Sequence, residues 1–228
     1  MSSFFEILKK SPNSNARIGK IITNHGEIST PAFIFCGTKA TIKSILPEQL
    51  YSANTQIILS NTYHLMLQPG PDIVAKNKGL QNFTQWKGPM MTDSGGYQIF
   101  SLGYGSVSEE IKGKNTNIKR KSLIKISEEG ASFRNYLNGD RVFLSPERSI
   151  ELQRYFGADL IFVLDECTPF NVSKKYTENS MHLSHRWAKR CLKSFNSSFD
   201  TFEKNSGSSG IQFLYGIIQG GVYEDLRK

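Results

Sequence analysis

The sequence predicts an α/β fold assembled from repeated strand–helix units, either a (β/α) barrel or a doubly wound sheet. Three observations point there. Short apolar runs recur five times, each closes on a cluster of polar residues, and helical segments separate them. The runs are nearly continuous in apolar character, which indicates burial on both faces, as in a parallel sheet covered by helices. Repeats of fixed period are absent, so a solenoid or propeller is not expected.

About the first 30 residues read as an N-terminal β-hairpin region. The first apolar run is PAFIFCGT (31–38), with a helical stretch near LPEQLYSA (46–53). QIILSNTYHL (56–65) has an apolar entry and then Ser60, Asn61, Thr62 and His64. MMTDSGGY (90–97), DLIFVLDECTP (159–169) and FLYGIIQGG (213–221) repeat the pattern. Ser145-Pro146-Glu147 opens a helix with a capping hydroxyl, a proline at the first helical position and an acid in the first turn. That helix is expected to stop at Gly157. Residues 177–195 place Trp187, Ala188, Cys191, Leu192 and Phe195 on one helical face. Arg186, Lys189, Arg190 and Lys193 lie off it and read as solvent surface, with a binding face as the alternative.

An insertion of about 103–144 leaves the tip of the third run. Its first part, 109–125, carries Lys112, Lys114, Lys119, Arg120, Lys121 and Lys125. It reads as a mobile loop; the second reading has it gripping a phosphate backbone. The second part, ISEEGASFRNYLNGDRVFLS, alternates around Asn138-Gly139 as a β-hairpin does. KNSGSSG (204–210) reads as a flexible connector.

At 228 residues the chain is long enough for one large domain or two small ones. The net charge of +8 suits a polyanionic partner such as nucleic acid, or simply a soluble lysine-rich surface. Apolar runs fall well short of the roughly 20 residues of a membrane-spanning helix, and the N-terminal stretch does not read as a secretory signal. The three cysteines, Cys36, Cys167 and Cys191, form no CxxC pair. A reducing cytoplasm is expected, with no zinc site in this chain.

The polar tips read together as a site. They offer Asn61 and His64, then Asp93, Ser94 and Tyr97, then Asp165 and Glu166, then Gln219, Gly220 and Gly221. A carboxylate can accept from the imino and amino groups of a guanine edge, and Gln219 can donate to a ring carbonyl. Tyr97 offers a stacking face, which contributes about 1–3 kcal/mol per base. Asp165 and Glu166 are neighbours on an extended chain, so only one can face a central site with Asp93. Asp93 and Asp165 can divide proton transfer and orientation between them. Structural roles stay open: Asp93 capping a turn, Asn61 tying down loop backbone, His64 packing.

Six ordered motifs carry a resemblance: SNTYHL (60–65), TDSGGYQ (92–98), SEEGASF (127–133), LSPERSIELQ (144–153), DECTP (165–169) and GIIQGG (216–221). Together they resemble the bacterial tRNA-guanine transglycosylases, also called queuine tRNA-ribosyltransferases, over essentially the whole chain. The resemblance implies a modified (β/α)8 TIM barrel that exchanges the wobble guanine of certain tRNAs for a 7-deazaguanine, on the route to queuosine. It makes Asp93 the proton acceptor and lines the base pocket with Ser94, Gly95, Gly96 and Tyr97. Asp165 would grip the base edge and Gln219 its carbonyl side. Cys167, within DECTP, favours the bacterial branch.

The family's attacking aspartate belongs to a segment resembling FDCVxPTR, and its zinc site to a CxCxxC run with a histidine. Neither occurs in these 228 residues, which supply about five of eight strand–helix units and no zinc-binding subdomain. The expectation is a base pocket and general base without the nucleophile, inactive in isolation. Its partners would be tRNA, guanine or a 7-deazaguanine, with a homodimer or a complementing C-terminal chain and no membrane. The alternatives are a non-catalytic nucleobase- or tRNA-binding module and an unrelated barrel hydrolase using Asp93 and Asp165.

Overall fold

The computed structural model describes residues 4–104, 124–197 and 211–228. The basic residues of 109–123 and the connector at 204–210 lie outside them. The chain forms two compact units. The first contains the residues up to Asp93, then Leu152–Ile161 and a segment ending at Leu214. The second contains Ser94–Glu151, Phe162–Ser198 and Tyr215–Lys228.

The first unit begins with an antiparallel sheet of β1 (Phe5–Lys10), β2 (Arg17–Thr23) and β3 (Gly26–Thr30), in that spatial order. A tight turn through Asn24 and His25 joins β2 to β3, with Thr23 paired to Gly26. The chain then enters β4 (Phe35–Cys36), β5 (Ile58–Ser60) and β6 (Met90–Thr92). Between them lie α1 (Pro47–Ser52), α2 (Thr62–Leu67), α3 (Pro71–Lys76) and α4 (Leu80–Thr84). Prolines at the first positions of α1 and α3 need no amide partner there.

After β6 come α5 (Gly96–Tyr104), then β7 (Lys125–Ile126), β8 (Ala131–Arg134) and β9 (Arg141–Leu144). The predicted hairpin is present as β8 and β9, closed by a loop through Asn138-Gly139 in which Gly139 has φ +79°. β7 adds to it as a third antiparallel strand. The chain continues through α6 (Pro146–Phe156), β10 (Leu160–Phe162), α7 (Lys174–Ser197), β11 (Phe213–Tyr215) and α8 (Glu224–Arg227).

Strands β4, β5, β6, β10 and β11 form one sheet, and their spatial order repeats their order in the chain. A doubly wound sheet reverses direction at a switch point. Winding in one sense, each strand beside the next, is the arrangement of a barrel arc, and the fold is therefore of the TIM-barrel type. Ile58, Leu59 and Ser60 lie opposite Met90, Met91 and Thr92 in parallel register, and Leu160 lies opposite Met91. The core of this unit gathers Ile57, Ile58, Leu65, Val74, Leu80, Met90 and Leu160, all buried.

The strand expected through PAFIFCGT pairs at only two residues, Phe35 and Cys36. Phe33 is 74% exposed there, against the expectation of burial on both faces. Its strand is the edge of the sheet, with a neighbour on one side only. The helix at Ser145 is as expected: the Ser145 hydroxyl accepts from Arg148 N at 3.1 Å. It ends at Gly157, whose φ of +68° turns the chain out while its amide donates to the carbonyls of Gln153 and Arg154.

Asp159, 2% exposed, ties the first unit together just ahead of β10. Its carboxylate accepts from Met90 N at 2.9 Å and Gln81 Nε2 at 3.1 Å, and lies 2.7 Å from His25 Nδ1. One buried acid thus links the β2–β3 turn, α4 and the start of β6. Removing it strands two buried donors, Met90 N and Gln81 Nε2, and takes away the partner of His25. Asp159→Ala is expected to lower unfolding free energy by about 3 kcal/mol or more; urea denaturation would measure it, and a loss below 1 kcal/mol would contradict the assignment.

Candidate active site

Asp93 is the first residue beyond β6 and the last of the first unit. Its backbone N–H continues the sheet pattern by donating to Ser60 O at 3.3 Å. The start of α2 holds its carboxylate. Thr62 N donates to Oδ1 at 2.9 Å, and Asn61 Nδ2 donates to Oδ2. The Thr62 hydroxyl donates to the Asp93 carbonyl at 2.5 Å. Asn61 also caps α2, its Oδ1 accepting from His64 N at 3.0 Å. The loop-tying role open for Asn61 is real, and it serves to orient Asp93. His64 packs edge-on against Tyr63, and its pKa is lowered by burial and by Lys39.

The second unit contains Ser94, Gly95, Gly96, Tyr97, Asp165 and Gln219. The structure gathers three of them around the carboxylate of a fourth, Asp165. Gln219 Nε2 donates to Asp165 Oδ2 at 2.8 Å, and the Ser94 hydroxyl also hydrogen-bonds Asp165. Gly96 packs against the same residue: a Cβ there would lie 2.6 Å from the Asp165 carbonyl oxygen and 3.1 Å from Oδ1. Gly95 has φ +87°, which the turn into α5 requires. The double glycine therefore answers to two separate sterics, a left-handed turn and a close approach. Tyr97, the next residue, is 48% exposed.

Burial raises the pKa of Asp165, and the neighbouring Glu166 charge adds to the rise. Hydrogen bonds from Gln219, its own backbone and Ser94 oppose it without cancelling it. Glu166 itself is 7% exposed and turns to α7, where its Oε1 accepts from the Tyr176 hydroxyl at 2.6 Å. The expectation that the two adjacent carboxylates face apart is met.

The face of α7 that does the holding keeps Trp187 and Cys191 of the apolar face expected from the sequence, but turns toward Thr177, Ser180 and Ser184 and away from Leu192. Thr177, Ser180, Met181, Ser184, Trp187 and Cys191 are buried, while Leu192 is 52% exposed. Hydroxyl-bearing residues fill that stripe because it bonds the backbone after β10 as well as packing on it. Glu166 N donates to Ser184 Oγ at 3.0 Å, and Leu164 N approaches Cys191 Sγ at 3.3 Å. The basic residues also divide. Arg186 forms a two-pronged pair with Glu128, and Arg190 one with Glu147. These pairs fasten the β7–β8 turn and the start of α6, and hold both acids below the usual carboxylate range.

The profile described as Queuine tRNA-ribosyltransferase matches residues 11–228 of this chain. The chain belongs to that family. Relatives carrying the same name include one from Roseiflexus sp. (strain RS-1), 42% identical over 237 residues, covering all of this chain and 57% of the relative. Another, from Shouchella clausii, is 43% identical over 98% of this chain and 52% of its own length. One from Halalkalibacterium halodurans is 44% identical over the same shares. The chain spans about half the length of the curated relatives it matches. Zinc, implied by the resemblance, takes about four Cys, His or carboxylate ligands. No cluster of three such residues able to hold a metal occurs among the described residues. No helix among the described residues is long and apolar enough to cross a membrane.

A raised pKa at Asp165 means that its ionisation opposes folding. Asp165→Asn is expected to raise unfolding free energy at neutral pH. The gain should vanish as the pH falls through the Asp165 pKa, where the native carboxyl is itself neutral. Denaturation midpoints of both proteins across pH 3–8 would check this, and a less stable variant at pH 7 would contradict it.

Proposed function

We propose that this chain supplies the base-recognition site and the proton acceptor of a tRNA-guanine transglycosylase. In that reaction the wobble guanine of tRNA is exchanged for a 7-deazaguanine. The observation that carries the reading is the Asp165 carboxylate, held by Ser94 and Gln219 against Gly96 beside the exposed Tyr97. Family membership supports it.

A carboxylate offers about four acceptor directions. In the free chain Gln219, Ser94 and the backbone N–H of Asp165 take up most of them. The N1–H and N2–H of an entering guanine form a parallel pair that suits the same two oxygens. Its arrival displaces the Gln219 amide, which is then free to donate to the ring carbonyl at O6. Tyr97 stacks on the heterocycle, and Gly95 and Gly96 leave its face open. A 7-deazaguanine keeps the same N1, N2 and O6 edge, so the same contacts serve both the leaving and the incoming base.

Asp93 takes the proton that the incoming base must lose at its ring nitrogen as the new glycosidic bond forms, and returns one to the leaving base. Asn61 and Thr62 fix the carboxylate for that transfer. Attack on the ribose carbon needs a further carboxylate, for which the resemblance points to a segment outside these residues. We therefore assign binding, not turnover, to the 228-residue chain alone. The partners are tRNA and the purine base in the cytoplasm, with a second copy as a homodimer or a complementing C-terminal chain that brings the missing carboxylate.

Asp165→Asn is expected to weaken guanine binding by about 1.5–3 kcal/mol, through loss of charge-assisted hydrogen bonds. Calorimetric titration measures it, and equal affinities would remove Asp165 from the site. In a second assay, incubation of the purified chain with tRNA and labelled guanine should leave the tRNA unlabelled. Robust incorporation would overturn the assignment of binding without turnover.

A further inference from the structure

Two adjacent carboxylates, Asp165 and Glu166, follow β10, and the proposed function uses only the first. What decides which one is presented lies on α7. Residues 163–169 belong to no helix or strand, yet alternate residues are tied back to that helix. Leu164 N reaches Cys191 Sγ, Glu166 N donates to Ser184 Oγ, and Thr168 Oγ1 shares a 2.8 Å hydrogen bond with Ser180 Oγ. The Glu166 carboxylate accepts from the Tyr176 hydroxyl at 2.6 Å. Positions 176, 180, 184 and 191 fall on one stripe of an α-helix. Positions 164, 166 and 168 fall on one side of an extended chain. The two periods mesh, and Asp165 is left facing the other way, toward Ser94 and Gln219.

We propose that Tyr176 is a positioning residue for base recognition: by holding Glu166 on α7, its hydroxyl makes Asp165 the carboxylate presented to the purine. This rests on the reading that Asp165 binds the base. Glu166 is buried, and a buried carboxylate stripped of its donor is costly. It turns toward water or toward another donor. In an extended segment the side-chain period is two, so rotating residue 166 away from α7 swings residue 165 off its own partners. Ser184 acts on the same residue through the backbone, and among the described residues Tyr176 is the hydrogen-bond donor to the carboxylate itself. Removing the charge should therefore remove the need for the hydroxyl.

The test is guanine titration calorimetry on the full chain and on four variants: Tyr176→Phe, Tyr176→Phe with Glu166→Gln, Ser184→Ala and Asp165→Asn. Tyr176→Phe is expected to bind roughly tenfold more weakly. The double variant should regain at least half of that loss on a logarithmic scale, which a purely structural role for the hydroxyl would not produce. Should Tyr176→Phe alone fail to fold by circular dichroism, the double variant carries the test: binding within about threefold of the wild type supports the role, and a loss of about tenfold or more overturns it, with Ser184→Ala reporting the backbone contact separately. Wild-type affinity in the folded tyrosine variant, or a loss that Glu166→Gln leaves unrepaired, overturns the proposal while Asp165→Asn still weakens binding. If Asp165→Asn binds as tightly as the wild type, the base-pocket reading fails, and the positioning role falls with it.

Discussion

A carboxylate withdrawn from water must be compensated by donors close by, and Asp165 shows how this fold meets that demand. Gln219 arrives from the stretch after β11, Ser94 from the turn after β6, and Gly96 clears the space against the carboxylate. These donors lower the pKa that burial raises, but do not return it to the ordinary value. The remaining cost is what a recognition site has to keep. A fully satisfied acid would gain little from a ligand, whereas one short of ideal solvation gains from each donor the ligand brings. The double glycine, the turn into α5 and the hydroxyl stripe of α7 are all arranged around that one group.

The sheet makes this arrangement possible. Because the strands lie in chain order and pair in parallel, each polar tip follows the same end of its own strand. Asp93 is delivered in the same manner by β6, and the cap of α2 receives it. At the opposite end of the strands the demands are different. There Asp159 is buried and saturated with internal partners, His25, Gln81 and Met90. Two acids on either side of β10 are thus held differently, Asp159 by partners of the first unit and Asp165, beyond the strand, by Ser94 and Gln219.

Much of this was legible in the residues. Apolar runs ending in polar tips located β5, β6 and β10, because parallel strands buried on both faces cannot alternate, and the half-buried edge strand β11 as well. The Ser145-Pro146 start and the Gly157 stop located α6, because capping is a local property. β4 was overestimated: PAFIFCGT is apolar enough for a long strand, but an edge position limits pairing to Phe35 and Cys36. The buried face of α7 was placed correctly at Trp187 and Cys191 but not at Leu192, because hydrophobicity alone does not register a stripe of serines that pack by hydrogen bonding. Ser180 and Ser184 find partners on a segment whose path the sequence does not state. The Asp159 cluster joins residues 56, 78 and 134 apart in the chain. Nothing local in any of them announces such a contact.

The central claim is that Asp165 binds the base as a carboxylate whose charge the base stabilises. Carbon-13 NMR of the side-chain carboxyl groups, titrated with and without saturating guanine, reads this directly. The account predicts that Asp165 titrates above the ordinary range in the free chain, and that guanine shifts the titration to lower pH, because the N1–H and N2–H donors favour the ionised form. A titration that guanine leaves unmoved, or drives to higher pH, would contradict it.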